Sequence, residues 1–286
     1  MSNNSKKHNR GELVSLISTI ILISFCCCKD NNITNSESTY FLAGPWEINQ
    51  EGNITLYSRP INYSSSASPN SNSIKVILKN QNDFIDEINN KLGVHFNKSA
   101  KIYLFNYDES MEKLGSNGGG RTDAVKREMY CTYYNIPFLD QVRNRMEYLG
   151  VHEMVHVVSI NELGIPAIRL MSEGYAVALD GGYSTDISPS GEHIRKTIEG
   201  NMKFLAQNSK ILPPNELVQD NNLEESLFYP QAGFFIDFLF KKYGINKINL
   251  LFTATKDNFT NEFSNVTGDN FNTIGNEYLS VCDSLK

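Results

Sequence analysis

Two periods of apolar and polar residues run along this chain, and the change from one to the other divides it. Ile74-Lys75-Val76-Ile77-Leu78 and Lys101-Ile102-Tyr103-Leu104-Phe105 are short runs rich in β-branched and aromatic residues, which predict strands. Between them, Phe84, Ile85, Ile88 and Leu92 recur at helical spacing. Met129 to Tyr134 predicts a third strand. From Leu139 onward every segment of length carries the helical period. Val142, Met146, Leu149 and Val151 form one stripe, and Val155, Val157, Val158 and Ile160 continue it. Asn161 to Gly164 ends that helix, with Gly164 as its cap, and Pro166 opens another, where a missing N–H costs little. Ile194 to Leu205, Phe234 to Tyr243 and Phe271 to Leu285 are further helices. The pattern predicts an α+β protein, a small N-terminal mixed sheet packed on a mainly helical C-terminal half.

The N-terminus has a different pattern. Lys6, Lys7, His8 and Arg10 form a positive start, and Leu13 to Phe25 is apolar with only Ser and Thr interruptions. That run is too short to span a bilayer comfortably and suits a secretory leader. It ends in Cys26-Cys27-Cys28, which resembles a bacterial lipobox. Cys28 is the favoured acyl site, with Cys26 as the alternative; an ordinary cleaved signal peptide is the other reading of the same residues. The chain is then Asn- and Ser-rich from Lys29 to about Ser38, and again from Ser64 to Ser73, as tethers and loops are. Lys29-Asp30-Asn31 loosely resembles the charged stretch of some surface-exported lipoproteins. The predicted organisation is a leader over residues 1–28, a tether and flanking segment over 29–73, and a catalytic domain over 74–286. The predicted location is outside the cytoplasm, held to the membrane by a lipid, with exposure at the cell surface left open.

One five-residue segment carries the chemistry. His152-Glu153-Met154-Val155-His156 spells H-E-x-x-H. Residues four apart share a helix face, so His152 and His156 can aim two imidazoles at one zinc ion. Glu153 stands beside the first ligand, within reach of a metal-bound water. Zinc held by two His needs a third protein ligand and leaves its fourth position to water. Glu173, in Ser172-Glu173-Gly174-Tyr175-Ala176, is the candidate, far enough downstream for a turn and half of a returning helix. Gly174 beside it would let the two helices approach closely.

H-E-M-V-H followed by S-E-G-Y-A resembles the gluzincin metallopeptidases, in which H-E-x-x-H is followed by an E-G-x-A helix. The likeness is greatest to the peptidase MA-like proteins, relatives of the aminopeptidase N catalytic domain. Tyr229-Pro230-Gln231-Ala232-Gly233-Phe234-Phe235 is similar to their downstream helix. The resemblance implies a zincin-like fold, one zinc per chain, Glu153 as general base and a peptide or protein substrate. It also implies that Tyr229, at the start of its helix, helps hold an oxyanion. The strand before the zinc helix would be a sheet edge over the cleft, where a peptide can add as an extra strand. The chain departs from the family at Leu170-Met171, where members often have Trp-Leu, and it shows no Gly-Ala-Met-Glu-Asn-like motif to anchor a substrate amine. Endopeptidase activity therefore stays open. Two other functions fit the same residues: a surface binding lipoprotein that does not cut, and a zinc hydrolase of a non-peptide amide or ester. The intact Glu153 argues against the first, because binding needs no general base.

Charge and cysteines narrow this a little further. A formal net charge of −6 and a pI near 5.5 provide no basic surface for nucleic acid. There are no internal repeats, and Gly118-Gly119-Gly120 fits no phosphate-binding pattern and reads as a mobile loop. Beyond the leader only Cys131 and Cys282 remain. They could pair, but the favoured reading is two buried small hydrophobes.

Overall fold

Strand register explains most of the N-terminal half. The computed structural model describes residues 42–63, 68–114, 120–133, 151–187, 193–220 and 222–286. Strands β1 (Glu47–Glu51) and β2 (Ile54–Ser58) form an antiparallel hairpin. Its two-residue turn begins with Gly52 at φ +55°, a conformation open to glycine. In β2 the buried positions alternate, Ile54, Leu56 and Ser58, as a strand covered on one face requires. β2 pairs in parallel with β3 (Ala100–Phe105), and β3 in parallel with β5 (Glu128–Thr132). β4 (Arg121–Asp123) closes the sheet antiparallel to β5, giving the order β1-β2-β3-β5-β4. Two strands of this sheet precede residue 74, where the folded domain was expected to begin. The expected edge strand lies inside the sheet, since β5 is flanked on both sides; the edge beside the H-E-x-x-H helix is β4.

The segment Ile74 to Leu78 is helical, against expectation. It belongs to α1 (Ser71–Leu92), which Asn70 caps by accepting from the Asn72 and Ser73 amides, and which Gly93 ends at φ +65°. The reason lies outside the five residues. Ile74, Ile77, Leu78, Gln81, Phe84, Ile85, Ile88 and Leu92 make one continuous buried stripe at steps of three and four. Val76, which a strand would have used, stands 43 % exposed. Burial of a whole helix face outweighs the local β preference of a short run.

The C-terminal half is mainly helical, with one interruption. After α2 (Tyr107–Lys113), which lies in the N-terminal half between β3 and β4, come α3 (Val151–Leu163) and α4 (Arg169–Asp180). A hairpin of β6 (Gly182–Ile187) and β7 (His193–Thr197) follows. The helix expected from Ile194 therefore starts only at Ile198. It is α5 (Ile198–Gln207), capped by the Thr197 side chain on the Gly200 amide. Then come α6 (Pro214–Gln219), α7 (Glu225–Tyr243), α8 (Ile245–Asn249), α9 (Phe259–Thr267) and α10 (Phe271–Asp283). Pro166 does not open α4; it lies in the connection from Gly164, which sits at φ +103° and donates to Ile160 O. The start of the stripe expected before Val151, Tyr134 of the third predicted strand, Gly118 and Gly119, and the whole leader lie outside the described residues. So do residues 29–41 and 64–67 of the predicted tether and flanking segment. Among the described residues no helix is long and apolar enough to cross a membrane.

One apolar core joins the inner face of the sheet to α1, α3, α4 and α7. α4 and α7 touch at two glycines. A Cβ on Gly174 would come within 2.7 Å of Ile236 Cγ1, and one on Gly233 within 2.3 Å of Val177 Cγ1. Gly174 thus admits α7 against α4, rather than α3 as the sequence suggested. The other face of the sheet carries a smaller cluster, with Tyr57, Tyr103 and Tyr130 in register and stacked. Arg59 locks the start of the fold onto that side. It is 1 % exposed, paired with Glu109, bonded to the Ala43 and Pro45 carbonyls, and placed 3.5 Å over the Trp46 ring. Cys131 on β5 and Cys282 on α10 are both buried, with no disulfide between them.

Candidate metal centre

Helix α3 is buried on nearly every side, which holds its side chains rigidly but leaves few of them polar. The exceptions in its buried part are His152, Glu153, His156 and Ser159. A buried polar side chain needs a partner, and those of the three motif residues come from α4 and β4. His152 Nε2 lies 3.0 Å from Glu173 Oε2 and 3.2 Å from His156 Nε2. His156 Nε2 lies 3.4 Å from the same Glu173 oxygen. The two imidazole rings stand at 83° to one another. Three potential ligand atoms from two helices thus face a common point.

This triangle fits a tetrahedral metal ion. Ligands about 2.1 Å from such an ion stand roughly 3.4 Å apart, by simple geometry from the usual zinc bond lengths. The three sides observed are 3.0, 3.2 and 3.4 Å. The same carboxylate oxygen is also within reach of an N–H donated by either imidazole, so Glu173 draws both rings toward one point. Burial works to raise the Glu173 pKa, but the charges and hydrogen bonds of His156 and His152 outweigh it and hold the carboxyl well below its usual range. Among the described residues, His152, His156 and Glu173 are the one set of three or more such side chains able to hold a metal.

Glu153 is 1 % exposed and stands outside that triangle. Its Oε2 accepts a hydrogen bond from the Thr122 hydroxyl on β4. Its Oε1 and Cγ lie against Gly120, where an added Cβ would come within 2.4 and 2.5 Å of them. His156 Nδ1 has the Ser172 hydroxyl 3.5 Å away, so its outer neighbour on α4 is a hydroxyl rather than a carboxylate.

Tyr229 stands one turn inside α7, not at its start, because α7 begins at Glu225. It is fully buried, with its ring 5.9 Å from that of His152. Arg169, at the first turn of α4, lies 5.1 Å over the Tyr229 ring and 4.3 Å over that of Phe228. Its Nη1 donates to Asp220 Oδ1 and Leu223 O, each at 3.2 Å. Burial works against the Arg169 charge, yet Tyr229, Asp220 and Glu173 together hold it more firmly protonated than usual.

All three expected ligands therefore meet, with Glu153 beside them and Tyr229 against His152. Cys26, Cys27 and Cys28 lie outside the described residues. Sequence reading missed Thr122, Gly120 and Arg169. Thr122 and Gly120 reach the site only through the pairing of β4 with β5, which no short-range pattern announces. Arg169 carried a usable signal: it precedes Glu173 by one helical turn and so shares its face. In comparisons with known proteins, the chain matches no family model and no curated protein.

Proposed function

We propose that this chain is a zinc-dependent hydrolase of gluzincin type on a zincin-like fold, and that it cleaves peptide bonds. The observation that carries the reading is the buried triangle of two imidazole nitrogens and one carboxylate oxygen, with a further buried carboxylate next to its first ligand. His152, His156 and Glu173 would hold one zinc per chain. Bound zinc would lower the pKa of its water to about 7 and polarise a carbonyl. Glu153 would take the proton from that water and return it to the leaving amine. Tyr229 would donate a hydrogen bond to the oxyanion as charge develops there. The leader and its cysteines support a location outside the cytoplasm, with Cys28 acylated and the membrane as a tethering surface.

Digestion of a peptide library by the zinc-loaded chain, read by mass spectrometry, tests this directly. Internal cuts or terminal trimming are expected, each identifying one peptidase class. Glu153→Gln should keep its zinc and lose turnover by roughly 100-fold or more, the contribution of a positioned base. No cleavage by the zinc-loaded parent would refute the peptidase reading and leave esters and non-peptide amides to be tried.

A further inference from the structure

We propose that the edge strand β4 is a positioning element for Glu153, with Thr122 and Gly120 as the residues that act. The inference rests on the reading of Glu153 as general base. Glu153 has three rotatable side-chain bonds, and a base must be held within a fraction of an ångström to work. Its neighbours in the motif, His152 and His156, are occupied by the ligand triangle. A donor that holds the carboxylate comes from β4, where the Thr122 hydroxyl reaches Glu153 Oε2. Register supplies it. Thr122 pairs with Met129, which is fully buried, so both side chains face the layer where α3 packs. Arg121 and Asp123 take the opposite face.

The β4 segment is also held to α3 at a second point, independent of the base. Asn161 Nδ2, near the C-terminus of α3, donates at 2.7 Å to the carbonyl of Ala124, the residue just after β4. Strand and helix are thus pinned together at two points, and the Thr122 hydroxyl is delivered to Glu153 Oε2. Gly120 covers the remaining side. An added Cβ there would lie 2.4 Å from Oε1, 2.5 Å from Cγ and 2.7 Å from Cδ. Those atoms belong to a flexible side chain, so the carboxylate would be displaced and the backbone would stay. This assigns a role to the last residue of the Gly118-Gly119-Gly120 run that the sequence alone left as a loop.

The test uses the zinc-loaded full chain and a cleaved peptide found in the library digest. kcat, KM, zinc per chain and melting temperature are measured for Thr122→Val, Thr122→Ser and Gly120→Ala. Thr122→Val keeps the shape and the strand preference but removes the donor. It should lower kcat roughly 10-fold, the scale of one hydrogen bond to a charged group. KM and zinc content should hold, the melting temperature should fall by no more than a few degrees as the buried carboxylate loses one donor, and Thr122→Ser should restore kcat to within about 2-fold because it keeps the donor. Gly120→Ala should lower kcat at unchanged zinc content. In a Glu153→Gln background, Thr122→Val should have almost no further effect, since the two act as one unit. Unchanged kcat in Thr122→Val overturns the proposal, as does a loss that multiplies with that of Glu153→Gln or follows loss of zinc. A zinc-loaded parent that cleaves no peptide overturns the functional reading and this inference together, whereas an active parent with an equally active Thr122→Val overturns this inference alone.

Discussion

Zinc should raise the melting temperature of this protein, and His156→Ala should remove most of the rise. The perturbation is confined to the ligand set. His156 contributes one corner of a triangle with sides of 3.0, 3.2 and 3.4 Å, close to the spacing around a tetrahedral ion. The ligands come from α3 and α4, both in the main core, so metal binding ties two helices whose packing the whole C-terminal half shares. A ligand that binds only the folded state stabilises by about 4 kcal/mol when present at roughly 1,000 times its Kd. In a domain of this size each kcal/mol moves the melting temperature by about 2–4 °C, so the parent should gain roughly 8–16 °C. Losing one of three protein ligands should weaken binding by more than the roughly 10- to 100-fold that loss of an outer-shell partner costs. Calorimetry in zinc and in chelator, for parent and variant, reads the difference. Each protein serves as its own baseline, so the cavity left by the missing imidazole cancels. Because imidazole ligands must be deprotonated to bind metal, the gain should shrink in acid. Equal melting temperatures for the parent in zinc and in chelator would refute the argument, and so would an equal gain in His156→Ala.

Tyr229→Phe keeps a fully buried ring and removes one donor, so turnover should fall roughly 10- to 1,000-fold with little change in melting temperature. Lost stability with unchanged specific activity would make Tyr229 a packing residue instead. Cys28→Ala should release the protein from the membrane fraction, and fatty-acid labelling should mark the wild-type chain; an unlabelled wild type ends the lipid-anchor reading. Burial, opposed by the Tyr278 hydroxyl and aided by Asp283, pushes the Cys282 thiol up to about 11. Its folded pKa is therefore above its unfolded one. The stability this provides is complete below about pH 8.5 and is lost as pH rises through the folded value. Peptide-resolved alkylation at pH 8 should leave Cys282 unmodified until urea is added, and labelling at the same rate without urea would refute its burial.

What the sequence determined by itself is what local geometry settles. His152 and His156 share a face because an α-helix turns every 3.6 residues, and Glu153 is beside the first because it is next in the chain. The helix over Phe271–Asp283 and strand β3 are readable for the same reason, since each reports its period within about a dozen residues. What only tertiary structure decided depends on contacts between distant segments. Ile74 to Leu78 became helix because a stripe reaching to Leu92 found a core to bury it. Ile194 to Thr197 became the second strand of a hairpin where a helical pattern had suggested the start of a helix. Thr122 meets Glu153 across 31 positions, and Arg169 meets Asp220 across 51. Residue type reveals which side chains can do chemistry, but register and packing choose their neighbours, because those energies come from surfaces that exist only after the chain has folded.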